Sequence, residues 1–270
     1  YMKLDINNDG DFDHKDWEEI ETALAQIYLN KDISGINGGY STDGAIDFHD
    51  WVEYQDRLSI REDLISVING EYTTSWVSFV SIDTIEADQK ISADEFNAAR
   101  DAGQILIGVY FGLLDTDNDN FIDETEYTQA VNDIDETGVF DRLNLVSDTA
   151  IDNLDLEDIG TALANTVLRK EIIDDPDLTV DYQDYEKLLE MQAVRDEVKS
   201  SLRIGKYWEM QEYYDEFGID VNEYDVNRNG ALDPEDLAAL EGELMLVTLA
   251  VDVTADGVMD RYDINHAKEV

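Results

Sequence analysis

Cysteine is absent from the 270 residues. That excludes disulfides, thiolate metal sites and cysteine nucleophiles, and leaves the redox compartment open. There are only two prolines, so long helices with few rigid turns are expected. Positive charge is scarce: 18 Lys+Arg stand against 65 Asp+Glu, a formal net charge of -47. So few bases cannot neutralise phosphates, which argues against nucleic acid as a partner and against docking on an anionic membrane. The longest apolar run, Ile105 to Leu114, falls short of the roughly 20 residues that span a bilayer. It reads as a buried helix, and no membrane insertion is expected. The three histidines, His14, His49 and His266, are scattered. No glycine-rich phosphate loop and no serine in a nucleophile elbow accompany them, so the chain reads as no enzyme. It opens on Tyr1-Met2-Lys3-Leu4 without a leader pattern, and reads as a mature form or a fragment. What is plentiful is apolar and aromatic: 43% hydrophobic residues, with 14 Tyr, 8 Phe and 4 Trp. A disordered acidic tail lacks these, so this chain can bury a core.

The acids are clustered. Residues 5–16 read D-I-N-N-D-G-D-F-D-H-K-D, with oxygen side chains at positions 1, 3, 5, 9 and 12 and Gly10 at position 6. A hard cation takes six to eight oxygens at roughly 2.4 Å, which alternate residues of a tight loop can supply. Position 6 turns sharply with positive φ, and position 12 opens a helix while lending its carboxylate back. This spacing resembles the calcium loop of the EF-hand superfamily. The pattern recurs. The resemblance implies ligands at Asp5, Asn7, Asp9, Asp11, Asp13 and Asp16. It implies a second set at Asp115, Asp117, Asp119, Phe121, Asp123 and Glu126. A third is Asp225, Asn227, Asn229, Ala231, Asp233 and Asp236, and a fourth Asp252, Thr254, Asp256, Val258, Asp260 and Asp263. Position 7 would bind through its main-chain oxygen.

Four weaker windows align on an apolar position 8. Residues 39–50 keep Asp43, Asp47 and Asp50 but begin on Gly39. Residues 144–155 begin on Asn144 with Val146 third. Residues 173–184 keep Asp175, Asp177, Asp181 and Asp184 but begin on Ile173. Residues 83–95, with Asp83, Glu86, Asp88, Lys90 and Glu95, have their first Asp one residue early. They form a thirteen-residue loop or one that holds no ion. Windows 39–50 and 144–155 are expected to hold an ion poorly or not at all. Position 8 is apolar in all eight windows, and so is the residue after position 12, from Trp17 to Ile264. Together the windows hold 35 of the 65 acids and 4 of the 18 bases. A generally acidic, solvated surface would spread its charge evenly, and this chain does not.

The expected fold is all-α: repeated EF-hand-like helix–loop–helix motifs, about eight loops with very short β-bridges. The spacing of the windows suggests two halves, 1–137 and 138–270, of four motifs each. Ala93–Leu114, Asp155–Ile172, Pro234–Val251 and His14–Leu29 read as single helices, and Tyr182–Phe217 as a longer one. Single helices would hold loops 83–95 and 115–126 apart, so loop 83–95 is expected to pair with 39–50 instead. Loops 5–16 and 252–263 would then lack neighbours, and head-to-tail self-association follows as an expectation. The resemblance implies about four to six Ca2+ ions, with Mg2+ tolerated where position 12 is Asp. A non-catalytic calcium buffer, store or calcium-stabilised structural module fits best. A sensor that opens a groove for a partner protein is the alternative, but the five methionines do not cluster. The loop-then-helix character also resembles dockerin modules, without their Ser-Thr dyad. Weak Asp-closed loops suit an extracellular or calcium-rich lumenal setting, with a cytoplasmic one left open.

Overall fold

A computed structural model describes residues 13–35, 41–84, 88–173, 179–204, 221–230, 232–249 and 253–254. Among the described residues helices dominate, joined by one two-stranded antiparallel sheet. In chain order they are α1 (His14–Tyr28), α2 (Phe48–Ile68), α3 (Phe79–Ile82), β1 (Lys90–Ser92), α4 (Ala93–Asp101), α5 (Phe111–Leu114), β2 (Phe121–Asp123), α6 (Glu124–Asp133), α7 (Glu136–Leu143), α8 (Asn153–Val167), α9 (Tyr182–Ile204), α10 (Val221–Tyr224) and α11 (Pro234–Thr248). Packing divides the chain into two units, residues 57–159 and the combination of 1–56 with 160–270. This partition concerns contacts; the halves 1–137 and 138–270 concern repetition along the sequence and remain a proposal.

In the unit of residues 57–159, the short helices α3 and α5 lead into two loops whose ends pair as β1 and β2. The register is Lys90 with Asp123, Ile91 with Ile122 and Ser92 with Phe121. Ile91 and Ile122 are fully buried. They join Ile82, Phe96, Leu106, Leu114 and Tyr127 in one core, against which Trp76, Phe79 and Phe111 pack. The Tyr127 hydroxyl donates to the Val77 carbonyl at 2.7 Å, so its polar tip is satisfied where the ring is buried.

This arrangement corrects two expectations. Ala93–Leu114 is not one helix, and loops 83–95 and 115–126 bridge each other directly. α4 ends at Asp101 because Gly103 takes φ +67° and Gly108 φ +81°, values that side-chain-bearing residues rarely adopt. Between them Leu106 forms an isolated parallel bridge with Thr73. Ile107 N–H donates to the Thr73 carbonyl at 2.9 Å, and Thr73 N–H to the Ile105 carbonyl at 3.1 Å. Two helices and a turn thus separate the loops and lay them side by side. The argument that left loops 5–16 and 252–263 without neighbours loses its premise for this pair.

In the other unit, α9 packs on α11, and Leu188, Met191, Val194, Leu240 and Leu244 are buried. Helix ends here are closed by donors from elsewhere in the chain. Asn30 N–H donates to the Thr166 carbonyl at 3.0 Å, and Arg169 N–H to the Val247 carbonyl at 3.0 Å. The Asn30 amide also donates to Leu168. These bonds take up carbonyls that helix ends leave unpaired. They explain why α8 and α11 stop at Val167 and Thr248, short of the expected Ile172 and Val251. α9 is described to Ile204, and the remainder of the stretch expected to reach Phe217 lies outside the described residues.

A Cβ on Gly103 would be driven into the Gly70 carbonyl oxygen, whereas one on Gly108 would meet nothing within 4 Å. Gly103→Ala is therefore expected to lower unfolding free energy by about 2–4 kcal/mol, combining backbone strain with overpacking. Gly108→Ala should cost about 1 kcal/mol, from strain alone. Urea unfolding of both variants checks the difference.

Candidate metal centre

Loop 115–126 begins where α5 ends. Asp115 caps that helix at φ -73° and ψ 82°, and its buried carboxylate accepts N–H bonds from Asp119 at 3.1 Å and Asn120 at 3.2 Å. Asn120 stands at position 6 with φ +70°. From the far end, Glu126 Oε1 accepts from Thr116 N at 2.7 Å, Thr116 Oγ1 at 2.9 Å and Asp117 N at 3.2 Å. Its Oε2 accepts from Asp123 N at 3.0 Å. Burial alone would raise the Glu126 carboxyl, yet these donors hold it below the ordinary carboxylate range. It stays ionised, as a ligand must. The result is convergence: Asp115, Asp117 and Glu126 bring carboxylate oxygens within 4.8 Å of one another. Three like charges so close repel, and a divalent cation among them reverses the sign of the interaction. All donors are hard oxygens, the set that Ca2+ and Mg2+ take and that softer metals do not select. These residues fit calcium.

Asp119, expected as the position-5 ligand, stands apart from that trio. Its Oδ2 meets Lys90 Nζ from the paired loop at 3.1 Å. The hydrogen bond from Lys90 holds the Asp119 carboxyl below its usual range, and the ammonium also lies over the Phe121 ring, 4.8 Å from its centroid. A cation entering this loop therefore competes with an internal one for Asp119.

Loop 225–236 repeats the trace. Asp225, buried, accepts from Asn229 N at 3.0 Å and Gly230 N at 2.7 Å. Asp236 Oδ1 accepts from Val226 N at 2.8 Å and Asn227 N at 3.2 Å. The Asn227 and Asn229 amides donate to Asp233 at 3.1 and 2.7 Å. The Asn227 oxygen accepts from Asn229 N at 3.0 Å, as Asp117 does from Asp119 N at 3.0 Å.

One bond is common to all seven windows whose closing residues are described. The residue before the helix gives its N–H to the carboxylate three residues on. The pairs are Asp13 to Asp16 (2.9 Å), Asp47 to Asp50 (2.8 Å), Ser92 to Glu95 (2.9 Å), Asp123 to Glu126, Asp152 to Asp155 (3.0 Å), Asp181 to Asp184 (3.0 Å) and Asp233 to Asp236 (3.0 Å). This is half of a capping box. Loop positions 9 and 12 are thus also the N-cap and N3 of the exiting helix, a role the loop spacing alone did not reveal. Apart from Glu126, each of these closing carboxylates is at most 4% exposed.

The weaker windows keep this half of the loop and vary the other. Asp50 Oδ1 accepts from Ile33 N at 2.6 Å, and Asp32 accepts from the N–H of Gly44, which turns at φ +92°. Those are the bonds of positions 2 to 12 and 6 to 1. Asp32, missed in the sequence, therefore takes the place assigned to Gly39, and the loop is longer than the window 39–50. The signal was an Asp just past the end of α1. Asp184 accepts from Ile172 N at 2.7 Å and Ile173 N at 2.9 Å, so that loop too begins before residue 173. Loop 144–155 keeps its twelve residues. There the Asn144 amide donates to the Asp148 carbonyl at 2.8 Å and its oxygen accepts from Asp148 N at 3.1 Å. A neutral amide ties the loop where Asp115 presents charge. Asp155 closes it from Val146 N at 3.1 Å.

Asp5, Asn7, Asp9, Asp11, Glu86, Asp175, Asp177, Ala231, Asp252, Asp256, Val258, Asp260 and Asp263 lie outside the described residues. Asp155→Ala would leave two N–H groups unpaired and remove a cap. It is expected to cost about 2 kcal/mol of unfolding free energy or more, equally in calcium and in chelator. A loss confined to calcium would instead mark Asp155 as a ligand.

No curated protein and no solved structure gives a significant match to the chain. The family described as EF hand matches residues 107–131, which contain α5 and the loop in which Asp115, Asp117 and Glu126 converge. That segment, and no more of the chain, is similar to an EF hand.

Proposed function

We propose that the chain is a non-catalytic calcium-binding protein whose folded state calcium stabilises, acting as a buffer, store or structural module. The observation that carries this is the convergence of Asp115, Asp117 and Glu126 within the segment that matches the EF hand. We extend it to loops 5–16, 225–236 and 252–263 by their spacing, and to loops 83–95, 32–50 and 173–184 as weaker sites, for about four to six ions. EF hands are generally not enzymes, which accords with the scattered histidines. Among the described residues no helix is long and apolar enough to cross a membrane. Asp at position 12 reaches less far than Glu and favours a calcium-rich setting, outside the cell or in a lumen. Self-association stays a proposal without its original pairing argument. A sensor role is the second reading, favoured by apolar side chains exposed on and beside the entering helices of the paired loops: Val80, Tyr110 and Leu113.

A ligand that binds only the folded state adds RT ln(1 + [L]/Kd), about 2.7 kcal/mol per site at a hundredfold excess over Kd. Melting is therefore expected to rise by many degrees from chelator to millimolar calcium. Calorimetric titration should count four to six ions, and Glu126→Gln should remove one strong site. An unchanged melting temperature would refute the stabilising role, and no heat of binding would refute the calcium reading.

A further inference from the structure

We infer that the cavity enclosed by α1, α2, α8, α9 and α11 is a binding site for a small aromatic carboxylate, with its ring in the cavity and its carboxylate on Arg195. None of the lining residues is a loop carboxylate, and the inference does not rest on the calcium reading. All of them lie in the unit that combines 1–56 with 160–270. α9 supplies one stripe, Tyr185, Leu188, Leu189, Gln192 and Arg195, which helical spacing puts on a single face. α11 supplies Leu244 and, one turn on, Thr248. Tyr28, the last residue of α1, and Tyr54 of α2 add two more rings. The volume is about 220 Å³. A cavity of about 150 Å³ takes one benzene ring, so this one has room for about two fused rings.

The cavity is apolar with one charge. Leu188, Leu244, Leu249 and Tyr185 are at most 3% exposed. Arg195 is 8% exposed, and a guanidinium stays charged wherever it lies. Its Nε and Nη2 both donate to a single oxygen, Asp196 Oδ1, at 2.9 and 2.5 Å. Asp196 stands in solvent, its side chain 65% exposed, so water screens much of what it offers. Among the described residues no other acceptor meets the guanidinium, which keeps further N–H donors in hand. A buried cation with donors to spare calls for an anion that can take two of them, and a carboxylate does so in a fork. The neighbouring phenols do not oppose it. Burial raises the Tyr28 hydroxyl above the ordinary phenol range, although Arg195 pulls the other way. Burial raises the Tyr54 hydroxyl too, with Tyr185 and Tyr28 adding to it. Both stay neutral, so neither repels a carboxylate. The net charge of -47 opposes an anion at long range, but salt screens that field beyond about 10 Å, and the lining itself holds a cation and no carboxylate. The Thr248 hydroxyl is spent on the Leu244 carbonyl at 2.7 Å. An apolar cavity with a few convergent polar groups is the usual build of a small-molecule site. Three tyrosine rings also offer faces and edges that a flat ring can meet and an acyl chain cannot.

The test is a calorimetric titration of the full chain, in millimolar calcium, with 2-naphthoate, its uncharged isostere 2-naphthamide and the acyl carboxylate octanoate. Naphthoate should bind with a Kd of about 100 μM or tighter, and the other two about tenfold more weakly or worse. Arg195→Gln should bring naphthoate down to the level of naphthamide. Should that variant not fold, Gln192→Phe, which fills the cavity one turn away and keeps the guanidinium, should also weaken naphthoate about tenfold. Equal binding of naphthoate and naphthamide would mean that the cavity reads no charge, and overturns the inference. Octanoate binding as tightly as naphthoate overturns the aromatic ligand class. Naphthoate binding that is unchanged in either variant lies elsewhere on the chain and overturns the site. Binding of none of the three overturns the inference outright and leaves the calcium reading standing.

Discussion

The bond on which the rest depends runs from the amide before each exiting helix to the carboxylate three residues later. It buries a negative charge at a helix N-terminus, where unpaired N–H groups and the helix dipole both favour it. The carboxylate's other oxygen reaches back to the start of the loop, as Glu126 does to Thr116 and Asp236 to Val226. One side chain thus starts a helix and closes a loop. Because Asp155 and Asp50 make these bonds whether or not the loop offers a full ligand set, a window can degenerate as a metal site and persist as structure.

That division explains what the sequence made legible. Positions 9 to 12 are fixed by the helical cap, a geometry that tolerates no insertion, so their spacing held in every described window, and between Ile91 and Ile122 a β-pairing fixes position 8 as well. Positions 1 to 6 form an open arm that can lengthen. Asp32 went unseen because counting back twelve residues from Asp50 lands on Gly39. Asp83 looked misplaced because one residue was added between it and Gln89. The signal that would have found Asp83 is hydrophobic rather than acidic. Phe79 to Asp83, Phe111 to Asp115 and Phe140 to Asn144 share a Phe, a buried Ile or Leu three residues on, and then the first loop residue.

The misread helix has a different cause. Ala93–Leu114 is apolar enough for a helix, and glycine inside a helix costs only about 1 kcal/mol. Composition could not reveal that Gly103 must pass against the Gly70 carbonyl or that Thr73 waits to bridge Leu106. Those are tertiary demands. The same turn brings Ile91 opposite Ile122, so a local error about one helix became an error about which loops are partners.

A chain with net charge -47 must compensate its clustered carboxylates, and its loops do so in graded ways. In loops 115–126 and 225–236 both oxygens of the first Asp accept N–H bonds, yet in 115–126 the carboxylates still converge. In loop 144–155 a neutral Asn removes the charge at its source. Lys90 supplies a cation from within the protein, but to its neighbour's Asp119 rather than to its own loop. Loop 83–95 is left with a buried oxygen that no donor among the described residues meets. The loops are therefore sorted less by how many acids they contain than by how much of that charge the chain itself answers.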